Sequence, residues 1–356
     1  MDDPLLAFRG SDEYRLHLFS VAFLWFEVTG FPVAWHKVSH GSSVDWIGGR
    51  LERTDRGVTA SIPESKTLAL TARSVDILHR STISLRELRS YTGAVSFVAG
   101  IIPHLRPFLA ACWAAIASCG RRPSNDLRPP ALSTSMAKKR RLPGNMIYVK
   151  QIHHALSWIK AFFDGSEGSI VRTFELVPIQ SPYSIATDAS PWGLGGVLFH
   201  NGSPVEYFCD IISTEDLRRF HGLLGESGLT TLWEMLALLV ALRIWFHHLA
   251  AEPAIMVRAD SLGALRVALK LSSPDPRINA IARELALDTS ASTHQFKIFE
   301  HIPGFSNYLP DCLSRLAAPA ESGKDFPKEL SNIPQARLPA RDVEFWRTWS
   351  SPGKQT

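Results

Sequence analysis

Four acidic residues stand where a charge is costly or where it faces the rim of a predicted sheet. Asp188 ends the run PYSIATD and Asp260 ends AIMVRAD, so each carboxylate is expected at the end of a strand. Glu234 is the one charge in TLWEMLALLVAL, where burying an unpaired carboxylate costs on the order of several kcal/mol. Asp311 falls in the first turn of a predicted short helix within HIPGFSNYLPDCLSRL. Hard oxygen ligands without neighbouring basic residues are what paired Mg²⁺ ions require, so the four acids predict a site of metal-assisted catalysis.

Each acid also has a structural explanation when it is considered alone. Asp260 would serve as the cap of a helix that starts at Ser261, and Asp311 would offset a helix dipole. Glu234 would form an ion pair with Arg258. The four positions together favour a shared site over four separate structural roles.

The chain around the acids predicts an α/β domain with a mixed five-stranded sheet and flanking helices. The patterning predicts strands at 182–188, 193–199, 204–209, 254–259 and 294–301, and helices at about 228–250, 261–271, 276–287 and 308–316. Three antiparallel strands are followed by parallel ones, so the strand-end acids meet at one rim of the sheet. Gly195 and Gly196 permit close backbone approach in the second strand, and Ser306 or Asn307 is expected to cap the last helix.

The same residues resemble the ribonuclease H domain of retroelement reverse transcriptases. TDASPWGLGGVLF resembles the first-strand motif of that family, WEMLAL its helix acid, RADS its second strand-end aspartate, and HIPGFSNYLPDCLSRL the ending of retrotransposon versions. The resemblance covers about residues 181–317 and implies a ribonuclease H-like fold. It also implies endonucleolytic cleavage of RNA in RNA–DNA hybrids, which are recognised mainly through backbone shape and 2′-hydroxyls.

The resemblance further implies a role for each side chain. Asp188 would bridge two Mg²⁺ ions, with Mn²⁺ as a possible substitute; Glu234 and Asp260 would complete one metal site and Asp311 the other. His301 lies near the position of a family histidine that helps product release, but the Ile-Pro-Gly that follows it fits a residue that ends a strand.

The beginning of the chain resembles the end of the polymerase part of the same polyprotein. MDDP resembles the end of the polymerase aspartate box, which leaves Asp2 and Asp3 as a relic pair. GFPVAWHK resembles the following motif, which bears Lys37, and SVDWIGGRL resembles the primer grip, with Trp46 and Gly48. These last three residues are predicted nucleic-acid contacts.

The predicted organisation has five parts, with a palm remnant at 1–57, a thumb-like helical bundle at 58–120, a basic linker or connection at 121–180, the ribonuclease H-like domain at 181–318 and a Pro-rich tail at 319–356. SLRELRSYTGAVSFVAGIIPHLRPFL in the second part is typical of DIRS-like or related retrotransposons. Because no earlier palm strand precedes Met1, the resemblance predicts that this chain does not extend primers. The tail is expected to be loosely ordered, with Phe345, Trp346 and Trp349 as docking anchors.

Positive charge is concentrated in residues 121–150, where eight Lys and Arg face a single Asp, while the whole chain carries only +4. The segment is either a solvated linker, a contact to nucleic-acid phosphates or, at KKRR, a nuclear import signal. Under the second reading, Lys138, Lys139, Arg140 and Arg141 contact nucleic acid.

Composition excludes several other classes of protein. The four cysteines lack zinc-ligand or disulfide-framework spacing and are expected to be reduced core thiols. No secretory signal is evident, and LWEMLALLVALRIW is interrupted by charges, so the sequence predicts an intracellular protein of the cytoplasm or nucleus without a membrane partner.

Two further functional hypotheses remain beside an active nuclease that cleaves RNA–DNA hybrids. One is a catalytically inactive nucleic-acid-binding remnant of a retrotransposon. Intact acids at all four positions argue against it, while the missing palm argues for an incomplete copy. The other, an integrase or resolvase, is weakened by the LSR ending and the thumb-like motifs.

Overall fold

The computed structural model describes residues 5–34, 36, 38–55, 57–119, 145–175, 181–249, 252, 254–291, 295–349 and 352. Contacts divide the chain into two compact units, Met1–Glu64 with Val171–Val177 and Ser65–Ile170 with Pro178–Thr356. Several predicted contact and relic residues lie outside the described residues: Asp2, Asp3, Lys37, Lys138, Lys139, Arg140 and Arg141.

The first unit combines one helix with an antiparallel sheet. The helix is α1 (Asp12–Val28), and the described strands pair in the order β1-β2-β3-β6, with β1 Ser43–Trp46, β2 Gly49–Arg53, β3 Gly57–Ser61 and β6 Val171–Glu175. Ile47 and Gly48 both have positive φ, the conformation that a tight two-residue hairpin requires between β1 and β2. Trp46 is half-buried and Gly48 exposed at this hairpin. The run FPVAWHKV has a strand-like composition, but its described residues form no strand, and Pro32 removes one backbone donor.

The second unit begins with four helices and a short ladder. The helices are α2 (Glu64–Leu78), α3 (Leu85–Ile101), α4 (Arg106–Cys119) and α5 (His153–Phe163), and the ladder pairs β4 (Thr82–Ser84) with β5 (Met146–Tyr148). Ser84 caps α3 by accepting a hydrogen bond from the Glu87 N–H. Phe108 lies between Trp158 and Phe162, with ring centroids 5.9 and 5.7 Å away, and these rings form the core between α4 and α5.

The larger sheet of the second unit is mixed, as predicted. Its described strands pair in the order β11-β10-β7-β8-β9, where β7 is Tyr183–Ala189, β8 Gly193–His200, β9 Ser203–Ile211, β10 Ala254–Ala259 and β11 Gln295–His301. Within this sheet, β8 pairs antiparallel with both β7 and β9, while β10 runs parallel to both β7 and β11. The carboxyl ends of β7 and β10 therefore lie side by side at one rim.

Helices flank this sheet: α6 (Thr214–Phe220), α7 (Thr230–Ile244), α8 (Phe246–Leu249), α9 (Leu262–Lys270), α10 (Pro276–Ala291) and α11 (Tyr308–Ser314). Every residue from Leu232 to Leu242 in α7 is buried. Among the described residues, Ser227–Ile244 is the one helical span long and apolar enough to cross a membrane, and two-thirds of it is buried inside the protein. Its apolar composition is that of a core helix. The sequence did not predict α6.

The four-helix region is bonded to the sheet's helices within the second unit. Asn279 of α10 is buried, and its Nδ2 donates a hydrogen bond to the Pro107 carbonyl at 2.7 Å. The Arg283 guanidinium donates to the same carbonyl at 3.3 Å. This pair of bonds anchors α4 to α10.

Residues 319–349 of the tail are ordered in the structure, contrary to the expectation of loose order. Residues 319–349, here called the C-terminal strap, run along the edge of the large sheet: the Ala336 N–H donates to the Tyr207 carbonyl at 2.8 Å, and the Tyr207 N–H donates to Pro334 at 3.2 Å. Trp346 is fully buried against Phe220, with ring centroids 5.5 Å apart. The strap thus covers the outer edge of β9, which would otherwise expose unpaired backbone groups.

Buried charges fasten the strap as well. The Arg341 guanidinium donates to both carboxylate oxygens of fully buried Asp216, at 2.7 and 3.0 Å, and also pairs with Asp210. Farther along, the carboxylate of fully buried Glu284 accepts hydrogen bonds from the Thr348 N–H and hydroxyl, at 2.8 and 2.6 Å. These contacts hold the proline-rich strap in place, and its composition alone does not predict them.

We expect Arg341→Ala to lower the free energy of unfolding by about 3 kcal/mol, because it leaves the Asp216 carboxylate buried without its cation. Urea denaturation of the full chain measures this effect. Arg337→Ala, an exposed arginine on the same strap, is the matched control and should change stability by less than about 0.5 kcal/mol. Equal effects of the two substitutions would refute a structural role for the buried pair.

Candidate active site

Three of the four predicted acids converge at the rim of the large sheet. Asp188 lies near the end of β7, Asp260 directly follows β10, and Glu234 projects from α7, which packs on β7. Each of the three offers a carboxylate oxygen within 4.8 Å of the other two. The parallel pairing of β7 and β10 produces this meeting, since it places the two strand ends next to each other.

Glu234 has the most unfavourable environment of the three. Its side chain is buried, and its Oε2 has no hydrogen-bond partner among the described residues. Burial, reinforced by the neighbouring charges of Asp188 and Asp260, raises the pKa of Glu234 well above its usual range. The alternative ion pair with Arg258 does not form, because that guanidinium bonds Glu300 at 2.8 Å.

Asp188 is also perturbed. Burial raises the pKa of Asp188 to about 7; a hydrogen bond donated by the Ser314 hydroxyl at 2.6 Å lowers it, and the charges of Asp260 and Asp311 raise it. The charge of Asp188 also raises the pKa of Glu234, so the protonation of these two carboxylates is linked.

Asp311 lies at the edge of this group and has partners of its own. Its carboxylate accepts a hydrogen bond from the Arg315 guanidinium at 2.7 Å and another from Lys324 of the C-terminal strap. Burial raises the pKa of Asp311, but these two cations outweigh burial and hold the pKa below its usual range. The Ser314 hydroxyl, which donates to Asp188, also lies 3.1 Å from the Asp311 carbonyl oxygen, so Asp311 is close to the cluster without being one of its three converging acids. An ion pair, rather than an interaction with the helix dipole, satisfies this carboxylate.

Small residues after Asp188 allow α11 to pack against the sheet. Gly195 lies opposite Asp188 in the β7–β8 register, and a Cβ there would come within 2.7 Å of the Ser314 nitrogen and closer still to the Pro310 carbonyl. The Ser190 hydroxyl donates to the Ser314 carbonyl at 2.6 Å. The predicted close approach at Gly195 is confirmed, and the neighbour is the helix that carries Asp311. Gly196 instead makes room for the Phe208 ring.

The segment after β11 completes the rim. His301 ends β11, as the alternative reading proposed; it is exposed, and its Nε2 lies 3.2 Å from the Asp260 carbonyl oxygen. Asn307 occupies the N-cap position of α11, but its side chain does not cap the helix. Its Nδ2 donates instead to the Thr187 carbonyl at 3.0 Å, which ties α11 to the strand that carries Asp188. Ser261, not Asp260, caps α9 through its hydroxyl.

Sequence reasoning did not assign roles to several residues that shape the site. Ser314 and Arg315 belong to the ending motif HIPGFSNYLPDCLSRL, so their positions in it were the available signal. Lys324 lies in the tail, and nothing near it in the sequence indicates a contact with Asp311. The predicted contacts Trp46 and Gly48 belong to the first compact unit, and their contact with nucleic acid stays a prediction.

The donor set fits a divalent cation that prefers oxygen ligands. Three carboxylates with ligand atoms within 4.8 Å of one another, two of them buried, repel each other unless protons or cations intervene. The unpartnered Glu234 Oε2 supplies a free ligand atom directed by α7. None of the four cysteines belongs to this group, so the atoms that it offers to a metal ion are carboxylate oxygens.

Comparisons with known proteins give only distant similarities. No protein-family model matches the chain, and no curated protein sequence matches it. Among solved structures, it is similar to the foamy viral protease-reverse transcriptase dRH bound to double-stranded DNA, with 15% identity, a TM-score of 0.34, and coverage of 83% of this chain and 44% of that one. The foamy viral protease-reverse transcriptase with an RNA/DNA hybrid is 13% identical, with a TM-score of 0.32 and coverage of 83% of this chain and 34% of that one. The complex of the same protein with double-stranded DNA is 15% identical, with a TM-score of 0.33 and coverage of 84% of this chain and 53% of that one. The chain spans about a third to a half of those proteins, and TM-scores this low do not define a common fold.

We expect the metal-free protein to lose stability as pH rises from about 4 to about 7. The folded pKa of Asp188 lies above the ordinary 3.8, so the folded state binds more protons than the unfolded state in this window, and deprotonation destabilises it. Asp188→Asn should remove up to about 4 kcal/mol of that loss. Urea denaturation at pH 4 and pH 8 in a chelator measures it; identical pH dependence in parent and variant would contradict the burial of this carboxylate.

Gly195→Ala should destabilise the protein by at least about 2 kcal/mol, since the added methyl must displace the backbone of α11. Thermal unfolding measures the change. Gly93→Ala in α3 is the control, because a methyl there meets nothing within 4 Å, and it should be neutral or stabilising by up to about 1 kcal/mol. A tolerated Gly195→Ala would show that α11 does not pack this tightly.

Proposed function

We propose that this chain cleaves the RNA strand of RNA–DNA hybrids, using divalent cations held by Asp188, Glu234, Asp260 and Asp311. The observation that carries the proposal is the convergence of three carboxylates, two of them buried, at adjacent parallel strand ends. A carboxylate as poorly compensated as Glu234 is costly in a core helix, and perturbed acids of this kind are concentrated at functional sites. The motif resemblance specifies the substrate.

Each residue of the site has a proposed role that follows from its surroundings. Asp188, Glu234 and Asp260 would hold one cation, and Asp188 with Asp311 a second. Bound Mg²⁺ or Mn²⁺ would activate water for attack on the phosphodiester and stabilise the departing 3′ oxygen. The Ser314 hydroxyl orients Asp188 through its hydrogen bond, and α7 holds Glu234 from beneath the sheet. Exposed His301, beside the Asp260 carbonyl, would help product release.

The proposal extends to the origin of the chain. The four motifs support its assignment to the C-terminal part of a retroelement reverse transcriptase, with the hairpin at Trp46 and Gly48 as a further nucleic-acid contact. Hybrid recognition through backbone shape would make cleavage nearly independent of sequence.

One observation favours the second candidate function, an inactive nucleic-acid-binding remnant. Asp311 is paired with two cations, Arg315 and Lys324, which compete with a metal for its oxygens. If that pairing persists on substrate, the chain binds hybrid without turnover.

We expect the full chain to cleave a labelled RNA–DNA hybrid in the presence of Mg²⁺, and Asp188→Asn to lower the rate by at least about a hundredfold. Asp76→Asn in α2, an exposed acid paired with Arg80, is the isosteric control and should leave the rate unchanged. The full chain is required, because residues 319–349 are part of the folded domain.

A second readout separates metal binding from turnover. Mg²⁺ should raise the midpoint of thermal unfolding of the parent more than that of Asp188→Asn. Hybrid binding and Mg²⁺ stabilisation without cleavage would support the remnant. Equal cleavage by parent and Asp188→Asn would refute the catalytic assignment.

A further inference from the structure

Phe305 is the feature of the site rim that the proposed reaction leaves unexplained. It follows Gly304 in the short turn Gly304–Asn307, and 84% of it is exposed, more than any other large apolar residue in the described part of the chain. A single exposed apolar side chain is ordinary on a protein surface. Phe305 differs from such a residue in its position beside the acidic cluster and in the anchoring of the turn that carries it.

The turn that carries Phe305 is held at both ends. On one side, the Ile302 N–H donates to the Ala259 carbonyl at 3.1 Å. On the other, fully buried Asn307 donates to the Thr187 carbonyl at 3.0 Å. Within the turn, the Ser306 N–H donates to the Pro303 carbonyl at 2.8 Å. A ring on a turn fixed in this way is presented to solvent by the fold.

The turn also lies against the acidic cluster. A Cβ on Gly304 would come 3.3 Å from Oδ2 of Asp260, so Phe305 is one residue from the point of contact with a proposed metal ligand. Both anchors of the turn bond the backbone residue immediately before an acid, Thr187 before Asp188 and Ala259 before Asp260. The position of the ring is therefore coupled to the same two strand ends as the carboxylates.

We propose that Phe305 is a substrate-contact residue that packs on a sugar of the nucleic acid next to the scissile phosphate. The inference rests on the proposed function and adds to it a residue that the four acids do not imply. Inside a hybrid duplex the base faces are covered by neighbouring base pairs, whereas the sugars stay accessible along the backbone, so this contact requires no particular base sequence. A strand whose phosphate reaches the Asp260 carboxylate brings its adjoining nucleoside to this turn. The contact contributes to binding and leaves the chemical step to the carboxylates.

The test compares three variants of the full chain with the parent. Phe305→Ala should raise KM for the hybrid about tenfold with kcat within about twofold, and weaken hybrid binding, measured by fluorescence anisotropy in a chelator, by a similar factor. Phe305→Tyr keeps the ring and should restore both values. Leu269→Ala removes a 63% exposed side chain near the far end of α9 and should change neither.

The outcomes separate this inference from the proposed function. A parent that cleaves or binds hybrid while Phe305→Ala matches it within twofold overturns the role of Phe305 alone. A drop in kcat without a change in KM or binding also overturns it, because the ring would then act on the chemical step. A parent that neither cleaves nor binds overturns both proposals.

Discussion

Three carboxylates, those of Asp188, Glu234 and Asp260, repel one another in a poorly solvated environment. This repulsion is the constraint on which the rest of the second unit depends. Asp188 and Glu234 are both buried; burial raises the pKa of each, and the charge of Asp188 raises the pKa of Glu234 further because little water screens it. Only rigid surroundings hold such groups together. The buried helix α7, the parallel pairing of β7 with β10, and the Asn307 bond to Thr187 supply that rigidity. A metal ion held by these carboxylates would offset their repulsion.

The C-terminal strap extends this support to the outer edge of the sheet. Arg341 and Asp216 form a buried pair 125 residues apart in the chain, and Trp346 fills the space beside Phe220. The strap also brings Lys324 to Asp311, so one segment both covers the β9 edge and places a cation at the rim of the acidic cluster. Stability of the sheet and charge balance at the site are therefore linked through a segment that lies outside the quoted motifs.

Local patterning was sufficient to predict the sheet and the three converging acids. Asp188 and Asp260 end apolar runs, Glu234 interrupts another, and Gly195 marks a close approach; each signal lies within a few neighbouring residues. The strap could not be predicted in this way, since its order depends on partners such as Asp216 and Glu284 that are distant in sequence. Asn307 shows the same limit, because a cap-forming residue at a cap position bonds a neighbouring strand instead. FPVAWHKV has a strand-like composition but no described strand pairs with it.

The gradient of exposure across the cluster fixes the side from which a substrate approaches. Glu234 and Asp188 are closed off by α7 and by the packing of α11 on Gly195, whereas Asp260 is half-buried and borders the exposed His301 and Phe305. The helix side offers no approach to the buried pair, because α7 is buried from Leu232 to Leu242. In the proposed reaction a phosphate would therefore enter past Asp260, and the nucleoside attached to it would lie against the turn that carries Phe305. The same open side would admit the cation and the attacking water, and the closed side keeps the carboxylates poorly screened, which favours binding of the cation.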